Sequence, residues 1–74
     1  MVDRVIQVIQ RRICRPDLQL TAQTDLLSEL ALTSLDLVEL VCDFELEFDI
    51  VVPEKDIRRF SKVGDIAAYL ERVL

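Results

Sequence analysis

The stretch from Ser34 to Phe48 constrains this chain more than any other, because its apolar residues suit a helix on two sides at once. At 100° per residue, Leu37, Leu40, Val41, Phe44 and Phe48 gather on one face, the natural core side. Leu35, Val38, Cys42 and Leu46 gather on roughly the opposite face. Between them Asp36, Glu39, Asp43 and Glu47 form an acidic stripe at spacings of three and four. Like charges so placed cost roughly 0.2–0.5 kcal/mol per pair within a helix. A second apolar strip in water adds a tendency to associate. Both features make sense as a docking surface for a partner with basic side chains and a shallow apolar pocket. They also fit a helix buried on several sides, whose acids are its solvated remainder.

Charge distribution favours docking. Residues 1–24 hold four basic and two acidic side chains, a balance of +2, and residues 57–74 repeat that balance. Residues 25–56 hold ten acidic side chains and one lysine, a balance of −9, so the net −5 is a central block and not a uniform coat. The excess of acid disfavours nucleic acid, whose phosphates need Lys and Arg, and favours basic protein partners.

The remaining segments are shorter. Val2, Val5, Ile6, Ile9 and Ile13 predict an amphipathic helix over about 2–14, ended by Pro16. Residues 15–33 have no sustained period. Leu18, Leu20, Leu26, Leu27 and Leu30 are expected to pin this long connection to the core, with one helical turn near 25–29. Thr33 is placed to cap the 34–48 helix, with Asp36 three residues on completing a capping box. Pro53 opens a short helical piece at 53–59. Ser61 is placed to cap a last helix at 62–73, where Val63, Ile66, Ala67, Leu70, Val73 and Leu74 share a face. The expected fold is all-α, one domain over 1–74, with three main helices and one short one.

Histidine is absent, which removes the commonest general base, the usual catalytic triads and most zinc sites. No replacement catalytic constellation is present, so the chain is not read as an enzyme, and its helical acids lack the loop pattern of a calcium site. Cys14 and Cys42 are too few for a disulfide framework and fit a reducing compartment as small apolar side chains. No signal-like opening and no membrane-length apolar run occurs, which predicts a soluble cytoplasmic monomer.

Ser34 stands at the start of the acidic helix, where unpaired N–H groups and the helix dipole favour a phosphate. Nothing nearby would activate it as a nucleophile, so it reads as the substrate of another enzyme. A simpler role, sharing in the cap, is what most serines at helix starts perform.

The run Leu30-Ala-Leu-Thr-Ser34-Leu-Asp-Leu-Val-Glu-Leu-Val41, followed by Phe44, Phe48 and Pro53, resembles the acyl carrier protein family over essentially the whole chain. The resemblance implies a four-helix bundle whose serine, Ser34 here, receives 4′-phosphopantetheine from coenzyme A by way of a separate phosphopantetheinyl transferase. The arm then carries acyl or aminoacyl thioesters for fatty acid, polyketide or peptide synthases and transferases. Leu35, Asp36, Val38, Glu39 and Cys42 match the family's partner-facing positions, and Asp43, Leu46 and Glu47 extend that surface. An aliphatic lining of Val5, Ile9, Leu40, Val41, Phe44, Phe60, Ile66 and Leu70 would permit a sheltered chain, although most of it serves as core. Two positions depart from the family pattern: Thr33 replaces an aspartate, and Ala31 replaces a frequent glycine. The competing reading is an unmodified acidic helical adaptor that binds one basic partner.

Overall fold

The computed structural model describes residues 1–15 and 17–74 and contains, among them, four helices and no strand: α1 (Val2–Ile13), α2 (Ser34–Phe48), α3 (Glu54–Ile57) and α4 (Val63–Val73). The chain is thus all-α, with three main helices and one short one. Among the described residues no helix is long and apolar enough to cross a membrane.

Helix α1 ends where Cys14 turns into the left-handed region (φ 53°) and its N–H bonds back to the Gln10 carbonyl, a closure that satisfies one orphan acceptor. Pro16, expected to stop this helix, lies outside the described residues. Val5, Val8 and Ile9 are buried, whereas Val2, Ile6 and Ile13 are only partly covered. Val8 was not on the expected face. The helix packs on both α4 and α2, and contact with two neighbours widens and rotates the buried stripe.

Leu37, Leu40, Val41 and Phe44 of α2 fill the centre against Val5, Ile9, Ile66 and Leu70. Each such side chain contributes roughly 1.5–3 kcal/mol by leaving water. The eight residues considered as a lining for cargo are all buried in this packed core. Phe48, expected to be buried beside Phe44, is only partly so. It stacks on Phe44 at 6.3 Å between centroids, and the Arg4 guanidinium lies over its ring at 4.6 Å. A residue in the last position of α2 has no further turn to close over it, and an arginine supplies the lid.

The connection before α2 is held by backbone as well as by leucines. Gly64 N–H donates to the Ala22 carbonyl (2.8 Å), Val63 N–H to Thr24 (3.0 Å) and Leu26 N–H to Ser61 (2.8 Å). These bonds tie the connection to the start of α4 across an isolated antiparallel bridge, Asp25 to Lys62. Gly64 allows this close approach, since a Cβ would stand a tight 3.0 Å from the Ala22 carbonyl oxygen. Buried Thr24 is satisfied by the Thr21 N–H at 2.9 Å. The expected turn near 25–29 is present: Glu29 N–H reaches the Asp25 carbonyl, and the Asp25 carboxylate accepts from Leu27 and Ser28 N–H. Leu26 and Leu30 are buried and Leu18 and Leu20 partly so, but Leu27 is exposed, because it occupies the outer side of that turn.

Three further expectations are corrected. Pro53 is the N-cap of α3 in extended geometry (ψ 147°), one residue before the helix, which ends at Ile57 and not at 59. Ser61 does not cap α4. Lys62 holds that position, and Ser61 donates its N–H and hydroxyl to Asp65, whose carboxylate also takes the Lys62 N–H. A carboxylate three residues into the helix is the stronger acceptor and gathers all three donors. On α4, Val73 and Leu74 are exposed where the helix outruns the core. Tyr69, absent from the expected face, is buried edge-on to Phe60 with its hydroxyl donating to Asp56. Cys14 and Cys42 are free thiols on the surface, Cys42 on the outer strip of α2 where the sequence placed it.

Candidate functional site

The start of α2 is built by a complete capping box. The Thr33 hydroxyl oxygen accepts the Asp36 N–H at 3.1 Å, and the Asp36 carboxylate accepts the Thr33 N–H at 3.0 Å. Leu37 N–H reaches the Thr33 carbonyl at 3.0 Å. The N–H groups of Ser34 and Leu35 are then left, by the geometry of any helix start, without an intrahelical partner. Ser34 follows the cap directly and is exposed. Two residues before Thr33, Ala31 turns the chain through the left-handed region (φ 55°), the corner that aims the connection into α2. That is a conformation glycine enters without penalty and alanine does not.

Ser34 borders a cavity of about 360 Å³ between the Leu26–Leu30 turn, α2 and α3. Leu27, Leu37, Val38, Ile57 and Phe60 give it an apolar lining, and Glu54 and Arg58 stand at its edge. Arg58 is held only loosely, by a 3.3 Å pair with Glu54 in which both side chains are largely exposed. A hydroxyl open to solvent, free N–H groups at a helix start, a cation at the rim and an apolar trough beside them suit a tethered phosphodiester with an organic arm. Ile57 and Arg58 were not singled out in the sequence, and Leu27 was read only as an anchor to the core, since only the third dimension brings α3 and the turn to Ser34.

The outer face of α2 exposes Leu35 (67%), Val38 (41%), Leu46 (85%) and Cys42. The acids are solvent-accessible but paired. Arg12 places its Nε and Nη2 on the Asp43 carboxylate, the second at 3.1 Å, and its Nη1 on Glu39 at 3.2 Å. Arg11 pairs with Glu47 at 3.0 Å, and Arg4 with the same carboxylate at 3.6 Å. The bond to Asp43 holds the Arg12 guanidinium above its ordinary pKa, opposed by modest desolvation. Asp36 is engaged in the box. Of the eight surface residues read from the sequence, the four acids therefore each have an intramolecular partner, and the four apolar ones remain open. Arg4, Arg11 and Arg12 carried a faint signal, their spacing of seven and eight on α1, but no sequence pattern states which helix they face.

Comparison with known proteins agrees in fold and in sequence. Residues 3–70 match the family model described as a phosphopantetheine attachment site. An acyl carrier protein of Thermotoga maritima is 39% identical over 71 residues, spanning 96% of this chain and 88% of the relative. One of Akkermansia muciniphila is 42% identical over 55 residues, spanning 74% and 69%. A solved chain from Mycobacterium tuberculosis, described as an acyl carrier protein, superposes with a TM-score of 0.87 at 32% identity and covers 99% of this chain and 97% of its own.

Proposed function

Because the chain belongs to the acyl carrier protein family, a family of carriers and not enzymes whose prosthetic group is phosphopantetheine, we propose that Ser34 is its attachment residue and α2 its docking helix. The observation that carries this reading is an exposed serine, Ser34, directly after a closed capping box. The family implies a transferase that loads the chain and synthases or transferases that use it. The bound group supplies a flexible thiol on which acyl or aminoacyl cargo travels as a thioester.

The chain's own residues do the rest. Thr33 and Asp36 fix the first turn on which Ser34 is carried. In loading, Ser34 Oγ loses its proton and joins the phosphate of coenzyme A as the nucleotide half departs. The helix-start N–H groups and Arg58 then face the resulting anion. Leu27, Val38 and Ile57 offer apolar surface to the arm. Leu35, Val38, Cys42 and Leu46 meet the partner's apolar pocket, with Asp36, Glu39, Asp43 and Glu47 beside them for its basic side chains. Tethering raises the concentration of cargo at each partner's site without any catalytic group on this chain. We place the protein in the cytoplasm, as a monomeric single domain over 1–74.

Incubation of the apo chain with coenzyme A and a broad-specificity transferase tests the assignment. The mass rises by one phosphopantetheinyl group, and Ser34→Ala abolishes the rise while leaving the melting curve in place. An unchanged mass in the wild type, or loading of the Ser34→Ala variant, refutes it. The unmodified-adaptor reading predicts the first of those results.

A further inference from the structure

Resting on the reading of α2 as the docking helix, we propose that the arginines of α1, above all Arg12, are built-in competitors of the partner. They occupy the carboxylates a partner's cations must reach.

Arg12 meets Asp43 through two of its nitrogens and Glu39 through the third. A planar fork that satisfies one carboxylate with two parallel bonds is the strongest arrangement an arginine offers a surface acid. Arg11 and Arg4 share Glu47 one turn further along α2. The −9 block is thus partly neutralised from within, by the side chains that make the first 24 residues net basic. These acids border the open apolar strip, with Cys42 exposed directly next to Asp43. The occupant of this surface is a protein face that carries its own guanidinium or ammonium groups beside an apolar patch, since only such a face both fills the strip and replaces Arg12. Binding exchanges an intramolecular pair for an intermolecular one, so the attraction a partner gains from Asp43 and Glu39 is what remains after Arg12 is displaced. The exposed side chains can make that exchange without unfolding anything: Arg12 and Asp43 keep 37% and 30% of their side-chain surface, and Arg11 keeps 66%. The surface therefore selects partners with several cations over those with one.

The test uses the full apo chain in the transferase loading assay, with KM and kcat measured separately. Arg12→Gln is compared with Arg59→Gln, which removes the same charge from a residue that lines a different cavity, beside Tyr69 and Arg72. Arg12→Gln is expected to lower KM about three- to tenfold at low salt, with kcat unchanged, and the gain disappears at ~1 M salt, where surface charge is screened. Arg11→Gln gives a smaller gain of the same sign, and Arg59→Gln gives none. A KM that Arg12→Gln leaves flat, raises, or lowers no more than Arg59→Gln does overturns the inference. Asp43→Asn and Glu39→Gln separate it from the reading beneath. If they raise KM while Arg12→Gln leaves it flat, the docking reading stands and the competition fails. If they too leave KM unchanged, docking through these acids fails and the competition falls with it.

Discussion

Thr33→Ala removes the hydroxyl that closes the first turn of α2 and nothing else of consequence. Thr33 is exposed, so no cavity opens, and the cost is that of an N-cap. The lost bond is the 3.1 Å contact to the Asp36 N–H, and its reciprocal at 3.0 Å loses the orientation that held it. An N-cap threonine replaced by alanine costs about 1 kcal/mol, within a range of roughly 0.5–2. A chain of 74 residues has roughly 4–11 kcal/mol in hand, so this is an appreciable share. For a domain of this size it lowers Tm by about 4–8 °C. Thermal denaturation followed by circular dichroism reads that shift directly. Thr33→Ser keeps the acceptor and stays close to wild type. Asp36→Ala combined with Thr33→Ala costs less than the two separately, because both act through one box. Thr33→Asp, which restores the acid usual in the family, keeps the melt and lowers the KM for the loading transferase. The effect on loading follows from position: fraying of this turn falls on Ser34, so Thr33→Ala lowers loading efficiency as well as Tm. Alanine and serine variants that both melt within a degree of wild type would refute the claim that the box organises this turn.

Ala31→Gly is expected to raise Tm by about 2–5 °C, since a left-handed alanine costs roughly 1–2 kcal/mol and glycine gives back only part of that in chain entropy. Ala31→Val lowers Tm instead. Phe44→Ala, at a side chain 2% exposed, costs about 3–5 kcal/mol and takes most of the chain's stability, seen as a broad, shifted melt in urea. The Asp25 carboxylate is held below its ordinary pKa by the Ser28 and Leu27 N–H groups, and that of Asp65 by the Lys62 N–H and Ser61. Their stabilisation is complete above the unfolded carboxylate range and fades as pH falls through the depressed folded values. Tm therefore drops on acidification below about pH 4, and Asp65→Asn flattens that limb of a Tm-versus-pH curve.

The helical content and the capped start of α2 were legible in the sequence because they are local. Thr33, Ser34 and Asp36 lie within four residues of one another, and a capping box is a short-range pattern. The apolar face of α2 follows from its own periodicity. What was not legible depends on neighbours. Val8 is buried because α1 meets both α2 and α4, Tyr69 because Phe60 and Asp56 stand against it, and Phe48 is half open because α2 ends there. Ser61 lost the cap of α4 to a carboxylate that also recruits it, a competition that spacing alone does not decide. The acidic stripe was visible, and so were the arginines, but their pairing depends on how α1 is laid across α2. Ala31 was visible as a departure from the family pattern. Its positive φ gives the reason glycine is frequent there.

The three backbone bonds from residues 22–26 to the head of α4 join stretches nearly forty positions apart in the chain. A nascent polypeptide that has made α1 and α2 has not yet made the strip of main chain against which the connection lies. The connection that leads into α2 is thus braced by a helix that follows it in the chain. A ribosome-bound intermediate short of Gly64 has Ser34 and its cap without the main-chain bonds that hold the connection before them. On the proposed reading, loading at Ser34 is thereby tied to the presence of a folded α4.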